Sequence, residues 1–127
     1  MITGGNATLY VADFEGALAF YTRVLGLKLR FRAQNHWAEV QAGQTLVIGI
    51  HPATPHAPKP GTQGAIHIGL TVDGPLDEVM KKLGARGVKF EGPMIDDPKS
   101  GMRFAFLKDP EGNGIYLWET AKAAAKA

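Results

Sequence analysis

Residues 104–119, FAFLKDPEGNGIYLWE, decide the fold because they predict two strands joined by a tight turn. In the opening residues FAFL, the two phenylalanines at 104 and 106 alternate with Ala105 and Leu107, which is the periodicity of a β-strand. The residues DPEGNG are turn formers, and Asn113-Gly114 is expected to supply the positive φ of a tight hairpin. The closing residues IYLW are β-branched or aromatic and favour a second strand. This stretch therefore predicts a β-hairpin.

Composition limits the remaining possibilities. The 127 residues have one domain's length, and 45% hydrophobic with 20% charged residues is typical of a soluble globular protein. The net charge is only +2 and no Lys/Arg stripe is present, so nucleic acid is not an expected partner. The absence of cysteine excludes disulfides and thiol nucleophiles. No apolar run reaches membrane-span length and no signal peptide opens the chain, so we expect a cytoplasmic protein without membrane contact.

The amino-terminal half predicts a strand, a helix and three further strands. Asp13 is a plausible N-cap, and apolar residues recur at helical spacing until Gly26, which favours termination. The predicted elements are a strand at 6–11, a helix at 14–25, and strands at 27–31, 37–41 and 44–50.

The carboxy-terminal half predicts the same order after a linker. Residues 51–64 hold four of the eight prolines, which excludes a helix or a central strand there. The predicted elements are a strand at 65–72, a helix at 76–85, a strand opening at 88–90, a loop at 91–101 and the hairpin at 102–118. The tail at 120–127 is expected to fray.

The two halves repeat one pattern, which predicts two βαβββ modules within one domain. Module one spans about 5–50 and module two about 65–119. Aligning Asn6 with His67 brings apolar and glycine positions into register: Leu9 with Leu70, Val11 with Val72, Leu18 with Val79, Gly26 with Gly87, and Leu27 with Val88.

The repeat, the DP-x-GN turn and the phrase VADFEGALAFYTRVLGLKL together resemble the vicinal oxygen chelate superfamily. That superfamily contains glyoxalase I, extradiol dioxygenases, fosfomycin-resistance enzymes and bleomycin-resistance binding proteins. The resemblance covers about residues 6–119. It implies an α+β fold in which two tandem βαβββ modules form a half-open curved mixed sheet, and it implies a homodimer.

The resemblance also implies four positions for a metal. In the metal enzymes these are the start of the first strand and a mid-strand residue of the last strand in each half. Here they correspond to Asn6, Gly49 (or Val47), His67 and Tyr116, where a glutamate usually occupies the Tyr116 position. Only His67 is a good ligand for a divalent ion. We therefore expect no metal cofactor, with a relocated divalent-metal site as the alternative.

Several residues are candidates for a small-molecule pocket. His67 is the candidate catalytic residue because an imidazole can act as a general base near neutral pH. His51 either contributes beside it or is a rim histidine. Arg103 either pairs with an anionic ligand group or lies at the surface. The predicted ligand-binding residues are Asn6, Tyr10, Trp37, Gly49, His51, His67, Arg103, Tyr116 and Trp118.

These residues support three hypotheses. The first is a metal-independent protein that binds an aromatic or amphipathic small molecule, as in drug or metabolite sequestration. The second is a lyase, dioxygenase, epimerase or thiol transferase that uses a non-standard site around His67. The third is an interaction domain whose aromatic residues fill the interior. The identity of the ligand stays open at this point.

Overall fold

The computed structural model describes residues 1, 5–56, 59–62 and 66–119. Contacts divide the chain into two compact units. Unit 1 contains Met1–Thr62 and Pro110–Gly112, and unit 2 contains Gln63–Asp109 and Asn113–Ala127. Each unit contains a four-stranded mixed sheet and a helical segment, so the predicted pair of βαβββ-like modules is confirmed.

The elements of unit 1 are β1 (Ala7–Val11), α1 (Phe14–Ala19), β2 (Lys28–Ala33), β3 (Trp37–Ala42) and β4 (Leu46–Pro52). Helix α1 continues directly as a π-helix over Phe20–Val24. The strands form a sheet in the order β1-β4-β3-β2, in which β1 is parallel to β4 and the other pairs are antiparallel.

The elements of unit 2 are β5 (His67–Val72), α2 (Leu76–Ala85), β6 (Ile95–Asp97), β7 (Met102–Lys108) and β8 (Gly114–Glu119). The strands form a sheet in the matching order β5-β8-β7-β6, with β5 parallel to β8. The predicted hairpin is present as the antiparallel pair β7–β8.

Each unit has its own core between one face of the sheet and the helix. Alternate strand residues point to this face, and burial of each Leu or Ile side chain contributes roughly 1.5–3 kcal/mol. In unit 1 the core includes Leu9, Val11, Ala17, Leu18, Tyr21, Ala38, Val40, Ile48 and Ile50. In unit 2 it includes Leu70, Leu76, Leu83, Ala105, Leu107, Ile115 and Leu117. The other face of each sheet remains available for a site.

Strand register shows which residues are equivalent in the two units. Gly49 lies opposite Thr8 on β1, and Tyr116 lies opposite Gly69 on β5. Thr8 and Gly69 are themselves equivalent in the repeat. The register therefore makes Gly49, and not Val47, the counterpart of Tyr116.

The predicted linker begins too early, since β4 continues through His51 and Pro52. Pro52 is the last strand residue, and the adjacent ladder bond comes from Ala53 N to Val11 O at 2.8 Å. A proline at the end of a strand removes no donor that the interior of the ladder needs. The predicted start of the linker was therefore wrong for these two residues, which belong to β4 but pair with β1 alone.

The second strand of unit 2 is also displaced from its predicted position. Residues 88–90 form no strand, and β6 instead lies at Ile95–Asp97, inside the predicted loop. Val88 N bonds to Leu83 O at 3.1 Å and so completes the end of α2. The helix terminus uses this backbone donor. A single bond to β7 follows, from Glu91 N to Phe106 O at 2.8 Å, and the β6–β7 ladder itself covers only Ile95–Asp97.

The turn between β7 and β8 is not the predicted Asn-Gly turn. The positive φ belongs to Gly112, at 90°, while Gly114 is already in β8. The Asp109 carboxylate accepts from Asn113 N at 2.8 Å and from Asn113 Nδ2 at 2.9 Å. Side-chain bonds of this kind close a longer loop without an Asn-Gly pair.

Some predictions fall outside the described residues. These are linker positions 57, 58, 63 and 64, the first residue of the predicted strand at 65, and the fraying of residues 120–127. Within the described ranges, no helix has both the length and the apolar character needed to cross a membrane.

Candidate functional site

The unit-1 face, defined by Tyr10, Trp37, Glu39 and His51, lies on the side of the sheet away from the core. All four residues are partly exposed. The His51 ring centroid is 5.4 Å from that of Tyr10 and 6.3 Å from that of Trp37. Strands β1, β4 and β3 thus bring three predicted pocket residues together with a carboxylate.

Gly49 provides the space in which the Trp37 indole packs. A Cβ atom at Gly49 would lie 2.1 Å from the indole Cη2, so a side chain there requires the ring to move. The indole Nε1 donates to Glu39 Oε2 at 2.9 Å. Glu39 on β3 pairs with Gly49 on β4, so the Trp37 ring reaches from the Glu39 carboxylate to the backbone of Gly49. This hydrogen bond was not predicted, because it depends on how far the indole bends over Gly49.

His51 has a defined tautomer on this face. Its Nδ1 lies 2.7 Å from the carbonyl oxygen of Pro52. A carbonyl oxygen can only accept, so Nδ1 carries the proton. In the neutral ring the lone pair is then on Nε2, which can accept a hydrogen bond or act as a base.

The unit-2 face is an aromatic surface on the side of its sheet away from α2. Tyr116 contacts its neighbours at centroid distances of 5.2 Å to His67, 6.3 Å to Phe104 and 6.3 Å to Phe106. His67 is exposed and the other four residues are partly exposed. The members of this face are His67, Phe104, Phe106, Tyr116 and Trp118.

Glycines also determine the packing of the unit-2 face. A Cβ atom at Gly69 would lie 2.4 Å from Tyr116 Cζ, and one at Gly114 would lie 2.7 Å from His67 Cδ2. Both rings therefore pack closely against the backbone of a neighbouring strand. His67 stacks near Phe106 with centroids 6.1 Å apart. Phe104 and Phe106 were not among the predicted pocket residues, although cross-strand pairing with Trp118 and Tyr116 identifies them.

Arg103 is not part of the unit-2 face. It lies on the other side of β7, where its Nε is 3.0 Å from Asp96 Oδ1 and its Nη1 is 4.0 Å from Glu119 Oε2. Glu119 is fully buried, and the same Oε2 accepts from Leu76 N at 2.9 Å at the start of α2. Arg103 thus neighbours a carboxylate that caps a helix.

The four positions implied for a metal do not provide a ligand set for a divalent ion. Unit 1 supplies Asn6, whose Oδ1 accepts from Thr8 Oγ1 at 3.1 Å, and Gly49, which has no donor atom. Unit 2 supplies His67 and the phenol of Tyr116. In the described part of the chain, no three His, Asp or Glu side chains are grouped as metal ligands would be. One imidazole falls short of the three or more protein ligands that such sites use.

A separate groove of about 530 Å³ occurs in unit 1 on the helix side of the sheet. Arg32 and Glu15 form an ion pair at its edge, and Arg32 also bonds to Asn35 Oδ1 at 2.7 Å. The residues that line it are Asp13, Glu15, Gly16, Leu18, Ala19, Thr22, Arg23, Leu29 and Arg32. None of the predicted pocket residues belongs to this groove.

Two curated proteins resemble this chain in sequence over most of its length. The chain is 29% identical to the uncharacterized protein YwkD of Bacillus subtilis (strain 168), over 90% of this chain and 94% of that protein. It is 27% identical to the uncharacterized protein YaeR of Escherichia coli (strain K12), over 90% and 93%. These relatives therefore carry no specific activity over to this chain.

Solved structures and a family model identify the fold and the family. A glyoxalase/bleomycin resistance protein/dioxygenase superfamily member from Sphaerobacter thermophilus has a TM-score of 0.77 and 30% identity, covering 94% of this chain and 98% of its own. A lactoylglutathione lyase from Agrobacterium tumefaciens has a TM-score of 0.71 at 23% identity, with 90% of each chain covered, which shows a shared fold alone. Residues 5–117 match the family described as Glyoxalase/Bleomycin resistance protein/Dioxygenase superfamily. The chain belongs to that superfamily.

Proposed function

We propose that this protein binds a flat apolar or amphipathic small molecule on the unit-2 face, without a divalent metal at the four superfamily positions. The ligand would be a drug-like compound or a metabolite that the protein sequesters. The proposal requires an accessible aromatic surface and a polar group beside it.

The main support is the composition of the unit-2 face. A sheet with one face in the core normally presents polar residues on the other. Here the second face carries His67, Phe104, Phe106, Tyr116 and Trp118, and all of them retain solvent exposure. An exposed aromatic patch of this kind is typical of a binding surface. Partial exposure also argues against the hypothesis that these rings merely fill an interior.

The chemistry of the face suits an amphipathic ligand. Aromatic pairs at centroid distances of 4.5–7 Å offer ring faces and edges, each contact adding about 0.5–1.5 kcal/mol beyond area burial. The exposed His67 imidazole and the Tyr116 hydroxyl supply polar contacts at one end. A ligand with a flat ring and one polar substituent matches both features.

Catalysis is the second candidate function. Its support is that His67 is exposed beside the rings, where a bound ligand would be within reach of an imidazole base. As an enzyme the protein would be a lyase, dioxygenase, epimerase or thiol transferase, using either metal-free base chemistry or a metal held elsewhere. Metal content separates the metal-dependent form of this candidate from the first, and turnover in metal-free protein separates the form that uses base chemistry.

Binding is tested with naphthylmethanol, a neutral flat probe, by NMR titration of labelled protein. We expect shifts concentrated on β7 and β8, and at least a tenfold loss of affinity in Tyr116→Ala. The control is Phe31→Ala, which removes an aromatic residue that is 53% exposed on edge strand β2 of unit 1. Thermal melts of both variants identify any loss that reflects unfolding. Absence of shifts on the unit-2 face would refute the proposal.

Metal dependence is tested by mass spectrometry of untagged protein before and after incubation with Zn²⁺, Ni²⁺, Mn²⁺ and Fe²⁺. We expect no stoichiometric metal. A stoichiometric ion that is lost in His67→Ala would reject the metal-independent proposal and direct the search to lyase or dioxygenase turnover.

A further inference from the structure

We infer that the unit-1 face is a recognition site for an organic cation, namely a primary ammonium attached to a flat ring. The site consists of Tyr10, Trp37, Glu39 and His51. This inference goes beyond the proposed function and rests on different residues, all within unit 1.

The rings provide the first part of the argument. A cation within about 6 Å of an aromatic centroid is attracted by the ring quadrupole, and Trp and Tyr are the stronger partners. Tyr10 and Trp37 flank His51 at centroid distances of 5.4 and 6.3 Å. The Trp37 indole is held in place by its bond to Glu39 and by its packing over Gly49. A cation therefore meets a preorganised aromatic surface.

The Glu39 carboxylate provides the second part. Its Oε2 accepts from the indole, while its Oε1 lies 3.8 Å from Arg30 Nε. Charge-assisted hydrogen bonds are about 2.7–2.9 Å long, so this Arg30 contact is a loose one. The Arg30 side chain is 55% exposed, and exposed pairs of this kind contribute little. A ligand ammonium can displace Arg30 from Oε1 without disturbing Trp37.

His51 provides the third part. Because Nδ1 donates to the Pro52 carbonyl, the neutral ring presents Nε2 as an acceptor. Glu39 Oε1 and His51 Nε2 are both acceptors, and an ammonium group supplies donors to match them. An anionic ligand would instead face a carboxylate and a lone pair. The face therefore selects for positive charge.

The test compares three probes that share one ring: naphthylmethylammonium, naphthylmethanol and naphthylacetate. NMR titration of the full chain reports affinity from shifts on β1, β3 and β4, including the indole N–H signal of Trp37. We expect the cation to bind this face about tenfold tighter than the alcohol, and the anion to bind more weakly than either. Equal affinities, tighter binding of the anion, or no cation-induced shifts on these strands would overturn the inference.

Two substitutions with opposite expected signs sharpen the test. Glu39→Gln keeps a carbonyl acceptor for the Trp37 indole and should abolish the preference for the cation. Arg30→Ala removes the competing guanidinium and should strengthen cation binding several-fold. Glu15→Gln is the matched control, since this carboxylate pairs with Arg32 on the helix side of unit 1. A preference unchanged in Glu39→Gln would also overturn the inference.

The outcomes separate the inference from the proposed function. If the alcohol binds the unit-2 face but no probe distinguishes charge on the unit-1 face, the inference fails and the proposed function stands. If the cation binds only the unit-1 face and neutral probes leave β7 and β8 unchanged, the inference stands and the proposed function fails.

Discussion

On both sheet faces an aromatic ring packs against a glycine of the neighbouring strand, but the strand that supplies the ring differs between the two units. In unit 1 the glycine is Gly49 on the last strand, and the ring over it comes from Trp37 on the neighbouring β3. In unit 2 the last strand supplies the ring of Tyr116, and the glycine is Gly69 on β5. Equivalent positions thus have opposite roles, and unit 2 also packs a second ring, that of His67, against Gly114.

The faces also differ in their polar groups, and this difference separates their proposed ligands. On the unit-1 face the Trp37 indole donates to the Glu39 carboxylate, and His51, whose Nδ1 bonds to the Pro52 carbonyl, lies beside the indole. The unit-2 face has more rings, and its polar groups are the His67 imidazole, the Tyr116 hydroxyl and the Trp118 indole N–H, with no carboxylate among them. Shared backbone architecture therefore does not make the two surfaces chemically alike.

Adding a methyl group at Gly49 or Gly69 should have the largest effect on the stability of the protein. Gly49→Ala and Gly69→Ala should each lower the free energy of unfolding by about 2 kcal/mol, because the new Cβ overlaps a ring. Chemical denaturation measures the loss. Gly74→Ala is the control, since nothing lies within 4 Å of a Cβ there.

A double mutant tests whether the overlap with the ring is the cause. In a Tyr116→Ala background, Gly69→Ala should cost much less, since the ring that it overlaps is absent. An undiminished cost would mean that the strain arises from the backbone instead.

Removal of one hydrogen-bonding atom should have a smaller effect that differs between the faces. Trp37→Phe removes the donor to Glu39 and should cost about 1 kcal/mol plus any packing change. Tyr116→Phe removes a hydroxyl for which no protein partner occurs among the described residues, and it should change stability by less than about 0.5 kcal/mol. Equal losses in denaturation experiments would mean that the polar difference between the faces has no energetic weight.

The smallest expected effect on stability comes from a carboxylate in one of the hairpins that join the second and third strands of each unit. In unit 2, hydrogen bonds from Ser100 Oγ at 2.8 Å and from Lys99 N at 3.0 Å lower the pKa of the partly exposed Asp97 carboxyl. A pKa lowered by folding adds stability above the usual carboxyl range, and this is lost as pH falls through the folded value.

NMR titration should show that the pKa of Asp97 is below its ordinary value, and that Ser100→Ala raises it toward that value. The unit-1 hairpin, which turns at Gln34 with a φ of 50°, has no carboxylate at the turn and should show no matching titration. An unchanged Asp97 pKa in Ser100→Ala would assign the shift to other groups.

Much of the fold was predictable because it depends on local patterns. Apolar alternation, the helical spacing that ends at Gly26 and Gly87, and the repeat together predicted two modules, and α2 was placed at its observed bounds. The failed predictions involve competition for backbone groups. Val88 completes a helix end, Pro52 ends a strand, and Asp109 closes a turn through Asn113.

The site was predictable only in part, for a related reason. Strand parity was enough to place Tyr10 with His51 and Tyr116 with Trp118. Parity also separates Arg103 from Phe104 and Phe106 on β7, but it did not show that Arg103 lies beside the buried Glu119. It also did not show that the Trp37 indole reaches Glu39, because that contact depends on side-chain torsions.

The sequence by itself determined the superfamily, the two-module architecture and the side chains available at the four metal positions. The two modules follow from period-two and helical patterns, which act over short distances along the chain. The superfamily and its four metal positions follow from the family resemblance that the repeat, the DP-x-GN turn and the first-helix phrase carry. The tertiary structure alone decided which rings pack over which glycines, which His51 nitrogen carries the proton, and which acidic groups lie beside the aromatic faces. Those features depend on atoms of neighbouring strands meeting within a few ångströms, and no local pattern encodes such distances.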